Sequence, residues 1–107
     1  MKWAKDNQGR WHELFSLELC DKCLKDVIGI YVVFYRMGEE DNGQEKFTVL
    51  KLGQGHIKTK LLELRKDPEM IGQKSRHPLV TWMPVHPMLL DKIERILSKN
   101  LDPIREF

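Results

Sequence analysis

Little in this sequence could serve as a staple, a signal or a span. Two cysteines, Cys20 and Cys23, form one isolated C-x-x-C. A structural zinc site usually needs four ligands, and no second C-x-x-C or H-x3-5-H is present to complete this one. His12, with His56, His77 or His86, would have to supply the rest through folding, so packed thiols are the stronger reading and zinc the weaker. A thioredoxin-like redox role is weaker still, because such a pair normally opens a helix after a buried strand. Apolar runs are short: the longest, Ile28 to Phe34, falls well below the roughly 20 residues of a membrane span. The first ten residues hold no apolar core and no small-residue cleavage site, so a cytoplasmic protein that contacts no membrane is expected. Charge of one sign is not in excess either, with 18 Lys and Arg against 16 Asp and Glu and a net charge of +2. Walker, G-x-G-x-x-G, H-E-x-x-H, G-x-S-x-G and EF-hand patterns are all absent, which leaves the common hydrolase and nucleotide-binding readings without support.

What is present suits one domain over residues 1–107, with 1–26 as an extension packed on or near the core. A chain of 107 residues buries roughly 65% of its unfolded surface, enough for a single core. Phe15, Leu17 and Leu19 alternate with Ser16 and Glu18, the pattern of a half-buried strand. Ile28 to Tyr35 is β-branched and aromatic, as in a central strand buried on both faces. Arg36 to Glu45 reads as an exposed acidic loop turning at Asn42-Gly43, and Phe47 to Leu52 as a second strand paired with the first. Gly53-Gln54-Gly55 then ends that strand. Ile57, Leu61 and Leu64 form the stripe of an amphipathic helix over 56–66, stopped by Asp67-Pro68. Leu79 to Met83 is a third strand. Pro87 starts a final helix whose apolar face is Leu89, Leu90, Ile93, Ile96, Leu97 and Leu101, with Asn100 near its cap and Pro103 beyond. The order predicts an α+β fold, helices against a small antiparallel sheet.

Two features carry chemistry. On a helical wheel Glu94 falls beside Leu90 and Leu101, while Asp91, Arg95, Ser98 and Lys99 take the far side. A half-buried carboxylate needs a cation, from a lysine or a metal, and a lysine is the ordinary partner. Lys60 flanks the other helical stripe, where a snorkelling lysine is the ordinary reading. Lys46, Lys51, Lys58, Lys60, Arg65 and Lys66 gather against the single acid Glu63, around glycines that let backbone N–H groups approach an anion. Phosphate is a natural partner for such a patch, and a solvated helix face is the common alternative.

Gly29-Ile30-Tyr31, then Lys51-Leu52-Gly53-Gln54-Gly55, then a basic amphipathic helix, then Glu94 followed by Pro103, resembles the GIY-YIG nuclease superfamily over about Val27 to Pro103. Gly53-Gln54-Gly55, Ile57, Lys60-Leu61, Arg65 to Pro68 and Val80-Thr81-Trp82 look like a group of short, stand-alone bacterial proteins of that type. The resemblance implies a three-stranded antiparallel sheet flanked by helices. It implies divalent-metal-dependent hydrolysis of DNA, with Mg²⁺ or Mn²⁺ on Glu94. Tyr31 would position or deprotonate the attacking water, and Lys60 would stand where the family has an arginine that offsets phosphate charge. Tyr31, Lys51, Lys60 and Glu94 are thus the catalytic candidates, and Gly29, Gly53, Gln54, Gly55, Lys58 and Arg65 the substrate-binding ones.

The pattern also departs from the family. Lys51 replaces the second motif's tyrosine, Lys60 the helix arginine and Leu64 the histidine one turn later, and a residue near Glu106 stands where an asparagine is usual. Lysine neutralises phosphate without the planar fork of arginine, and Lys51, if desolvated beside Tyr31, would share in proton transfer. The expectation is a nuclease weakened by these substitutions. The alternative is an inactive module on the same fold that binds DNA or RNA, or a protein. Trp3 and Trp11 favour a protein contact or self-association through the N-terminal segment, unless they cap the sheet as core residues do.

Overall fold

The computed structural model describes residues 3–19, 24–39 and 45–99, with residues 37–39, 45 and 46 described by backbone alone. Four strands, β1 (His12–Glu13), β2 (Ile28–Glu39), β3 (Glu45–His56) and β4 (Leu79–Pro84), make one antiparallel sheet in the order β1-β4-β2-β3. Helices α1 (Ile57–Lys66), α2 (Pro68–Gly72) and α3 (Leu90–Ser98) flank it. The class is α+β, as the element order predicts. β3 is an outer strand, with no further strand beside it among the described residues.

Strand β2 explains the two layers. Its side chains alternate between faces, and both faces are buried. Tyr31 and Val33 join Val80, Trp82 and Leu14 under Ile57, Leu61 and Leu64 of α1 and Met70 of α2. Ile30, Val32 and Phe34 join Met83, Val85 and Trp3 under Leu97, with Leu90 and Ile93 of α3 packed alongside. The two helices therefore lie on opposite faces and approach one another only past an edge.

The N-terminal segment is fastened to this core. The Ala4 amide donates to the Trp82 carbonyl at 3.0 Å, and Thr81 Oγ1 donates to the Ala4 carbonyl at 2.8 Å. Trp3 is buried, Trp11 meets Phe34 and Phe47 edge to face, and His12 stacks on Trp82. Both tryptophans are thus used by the fold, which removes the feature that pointed to a protein-binding arm.

Several elements differ from the sequence expectations. Phe15 to Leu19 form no strand, since Leu14 to Ser16 make a turn, Leu17 a bend and Glu18-Leu19 irregular backbone, and the N-terminal strand is His12–Glu13 instead. Phe15, Leu17 and Leu19 do pack on the α1-side cluster. Their backbone, however, bonds within the turn, Leu17 N–H to Glu13 C=O at 2.9 Å, and the carbonyls of Leu14 and Leu17 accept from the Arg65 guanidinium rather than from a strand. The hairpin strands run to Glu39 and from Glu45, leaving less acidic loop than expected, and the Asn42-Gly43 turn lies outside the described residues. Gly53-Gln54-Gly55 continues β3 instead of ending it, because Gly53, Gln54 and Gly55 pair with Tyr31, Ile30 and Gly29.

Asp67-Pro68 ends α1 and also begins α2, with Pro68 at the first helical position and the Asp67 side chain capping Glu69 N–H at 2.9 Å. Pro87 opens a 3₁₀ turn before α3, where His86 Nδ1 accepts from Met88 N–H. Leu89 and Ile96 are exposed on the flank of the Leu90, Ile93, Leu97 stripe. Cys20, Cys23, Asn100, Leu101, Pro103 and Glu106 lie outside the described residues.

Candidate active site

Tyr31 faces Gly53 across the β2–β3 ladder. Facing residues of an antiparallel pair project from one side of the sheet, so the Tyr31 ring extends over Gly53 toward the outer strand. A Cβ at residue 53 would lie 2.4 Å from the phenol oxygen and 2.5 Å from the ring carbon that bears it. Only glycine leaves room for this ring. Gly55 has φ +134°, and a Cβ there would lie 2.9 Å from Lys60 Cε. The lysine stem therefore lies along the strand, with Nζ 3.7 Å from Glu63 Oε2. His56 caps α1, its Nδ1 accepting from Thr59 N–H, and so starts the helix that carries Lys60 directly after the glycines.

Tyr31 is 5% exposed, and its hydroxyl has no hydrogen-bond partner among the described residues. Burial raises its pKa above the ordinary phenol value, and the negative charges of Glu63 and Glu94 raise it further. The phenol is held protonated. It is suited to donating a hydrogen bond to a ligand oxygen, and poorly suited to removing a proton from water.

Glu94 belongs to α3, in the layer opposite α1, yet its charge reaches Tyr31. The link is Gln54, which lies between Gly53 and Gly55 and projects to the α3 side. Gln54 Nε2 donates to Glu94 Oε2 at 2.6 Å and to Asp91 Oδ1 at 2.8 Å. Neither carboxylate has a Lys, Arg or His ion-pair partner among the described residues. The lysine expected beside Glu94 is therefore replaced by an amide and a second carboxylate. Asp91, assigned by the wheel to the far side, joins the site. Its spacing from Glu94, D-x-x-E across one helical turn, was the available signal. Glu63 is the other acid missed, at the same i, i+3 spacing from Lys60.

The remaining candidates are less central. Lys51 pairs with Val33 and is exposed, so it is not desolvated beside Tyr31 and its expected share in proton transfer loses that basis. Lys58 stands in the first turn of α1. A Cβ on Gly29 would lie 2.0 Å from the Met83 carbonyl oxygen, so this glycine serves close strand packing. Arg65 turns away from the edge. Its Nε donates to the Leu14 carbonyl at 2.7 Å and its Nη2 to the Leu17 carbonyl, and burial lowers its pKa.

No group of three or more His, Cys, Asp or Glu that could hold a metal occurs among the described residues. Mg²⁺, however, is commonly held by one or two carboxylates, with water and substrate phosphate completing its shell. Asp91 and Glu94 share one donor atom and lack cationic partners, which fits that kind of site. Among the described residues no helix is long and apolar enough to cross a membrane. No protein-family model, curated protein or solved structure matches the chain.

Proposed function

We propose that this chain is an endonuclease of the GIY-YIG type, hydrolysing DNA phosphodiester bonds with the help of a divalent cation. The observation that carries this reading is the part-buried Glu94 carboxylate, which has Gln54 and Asp91 for neighbours instead of a lysine and shares its edge with the unpartnered Tyr31 hydroxyl. Asp91 and Glu94 would hold the cation. When bound, Mg²⁺ or Mn²⁺ supplies polarisation of the scissile phosphate and stabilisation of the leaving oxygen. Lys60, with Lys58 and Lys51 nearby on the chain, offsets phosphate charge. Tyr31 donates its O–H to an oxygen of the phosphate or of the attacking water and so orients it.

The test is nicking of supercoiled DNA by the purified chain with Mg²⁺ or Mn²⁺, with a chelator, and with the Glu94→Ala variant. Nicking that needs the metal and disappears in the variant supports the reading. Cleavage unchanged in Glu94→Ala sinks it. A second reading, a module that binds nucleic acid without cutting, is favoured by the basic side chains of Lys51, Lys58 and Lys60, which stay at least partly exposed. It predicts duplex binding without cleavage, weakening with salt at a slope near −0.9 per phosphate neutralised.

A further inference from the structure

Hydrolysis at the β3 edge needs a proton acceptor that the groups named so far do not supply. Water that attacks a phosphate gives up a proton, and the Tyr31 phenol, held protonated by burial and by nearby acids, does not take it. His56 is engaged in its cap: Nδ1 accepts from Thr59 N–H, so in the neutral ring Nε2 carries the hydrogen and offers no lone pair. Asp91 and Glu94 stand on the α3 side, where the cation is placed. One acid remains on the α1 side, beside Lys60. We propose that Glu63 is the general base, the group that takes the proton from the attacking water. This deepens the nuclease reading and rests on it.

The glycines of β3 bring the partners of such a base together. Gly53 and Gly55 are two residues apart on one strand, a spacing of roughly 7 Å. The Tyr31 hydroxyl lies over Gly53, 2.4 Å from where a Cβ would stand, and the Lys60 stem lies over Gly55, its Cε 2.9 Å from the corresponding point. A phenol O–H and an ammonium are thus neighbours on the α1 side, close enough to serve one phosphate. Glu63 Oε2 is 3.7 Å from Lys60 Nζ, beyond hydrogen-bond distance. No hydrogen bond to the Glu63 carboxylate occurs among the described residues, and the side chain is exposed, so its lone pairs are open to water. The charged and titratable groups that face it among the described residues are Lys60 on its own helix and Tyr31 on β2.

In the step itself a carboxylate oxygen of Glu63 accepts a proton from water as the water oxygen forms its bond to phosphorus. The bond from phosphorus to the leaving sugar oxygen breaks, its electron pair stays on that oxygen, and a solvent proton completes the alcohol. Glu63 then returns its proton to solvent. Lys60 offsets charge on the phosphate, and Tyr31 donates its O–H to one of the oxygens. Positioned proton transfer of this kind contributes about 10²- to 10⁴-fold in rate. The opposing account makes Glu63 an ordinary surface partner of Lys60, since exposed pairs one helical turn apart are common and contribute little. On that account, removing an acid beside a phosphate site leaves nicking unchanged or raises it.

The two accounts separate in the nicking of supercoiled DNA by the full chain with Mg²⁺, followed against pH for wild type, Glu63→Gln and Glu63→His. Binding of a labelled DNA duplex is measured beside it with a chelator present. Glu63 is exposed, so both variants should keep the wild-type urea midpoint. The proposal expects Glu63→Gln to lose about 100-fold in nicking while binding the duplex at least as tightly as wild type. Glu63→His should recover part of the rate, with the acid limb of the profile moved up by about two pH units, the interval between an ordinary carboxyl and an imidazole. Nicking by Glu63→Gln within twofold of an active wild type would overturn the proposal and leave the nuclease reading standing. So would a loss matched by equally weakened duplex binding, which reports a contact with DNA, or an acid limb unmoved in Glu63→His. A wild-type chain that binds the duplex and nicks at no pH would remove the nuclease reading, and the base with it.

Discussion

The two edges of the sheet use polar side chains in opposite ways. Around β1 and the N-terminal segment they end on the fold itself. Arg65 donates to two carbonyls, and Asp6 accepts from the Gln8 and Arg10 amides and from the Arg10 guanidinium. Thr81 holds Ala4, and Arg76 reaches the Tyr35 hydroxyl. A hollow of about 790 Å³ lies at this edge, but its Arg10 and Arg76 are among the groups already engaged. Around β3 the polar groups stay in reach of solvent: the Tyr31 hydroxyl has no partner among the described residues and is not a buried atom, Asp91 and Glu94 accept from one amide, and Lys60 sits 3.7 Å from Glu63. Buried and half-buried polar groups are usually satisfied. The β3-edge groups remain open to solvent, which is what the proposed nuclease reading requires of them. The buried Trp3 Nε1, unpartnered among the described residues, is an exception on the other side, and the structure offers no account of it.

The contrast breaks if stability and activity fail to separate between the edges. The largest effect should be that of Glu94→Gln, which lowers DNA nicking by about 10³-fold, the scale of losing one strong transition-state contact. Its urea midpoint should stay near that of wild type. Gly53→Ala comes next. The added methyl forces the Tyr31 ring to move, so a urea titration should show a loss of about 1–3 kcal/mol, and nicking should fall further than the unfolded fraction explains. Arg65→Ala should lose about 2 kcal/mol in the same titration, because two carbonyls are deprived of a charged donor.

Tyr31→Phe is the mildest, lowering nicking by about tenfold, the worth of one hydrogen bond. It also carries a pH signature. The phenol pKa is raised in the folded chain, so the associated stability is fully present below 10, the ordinary phenol value, and is lost as pH rises through the folded value. Urea midpoints followed from pH 9 upward should show that alkaline loss in the wild type and a smaller one in Tyr31→Phe.

Much of the fold was legible because it is written in local periodicity. The β-branched run of β2, the Ile57, Leu61, Leu64 stripe and the Leu79 to Met83 strand each bury the side chains their spacing selects. What was not legible depends on partners distant in sequence. The alternation at Phe15, Leu17 and Leu19 is real packing, but Arg65, from α1, takes the carbonyls that a strand would have paired. Asp91 is exposed, as the helical wheel has it, but the wheel knows only α3 and could not show that Gln54 reaches this carboxylate from β3. Tyr31, Gly53, Gly55, Lys60 and Glu94 could be picked out together, though their spacing could not say that Tyr31 and Glu94 come from opposite layers. Nor could it say that Arg65 faces the other way.

The central claim is that the β3 edge serves chemistry and the β1 edge serves the fold. It is tested most directly by the rate of DNA nicking per folded molecule, measured with Mg²⁺ for wild type, Glu94→Gln and Arg65→Ala. The account predicts a wild-type rate per folded molecule for Arg65→Ala and a loss of about 10³-fold for Glu94→Gln. A Glu94→Gln variant that nicks at the wild-type rate, or an Arg65→Ala variant that loses as much as Glu94→Gln, would contradict it.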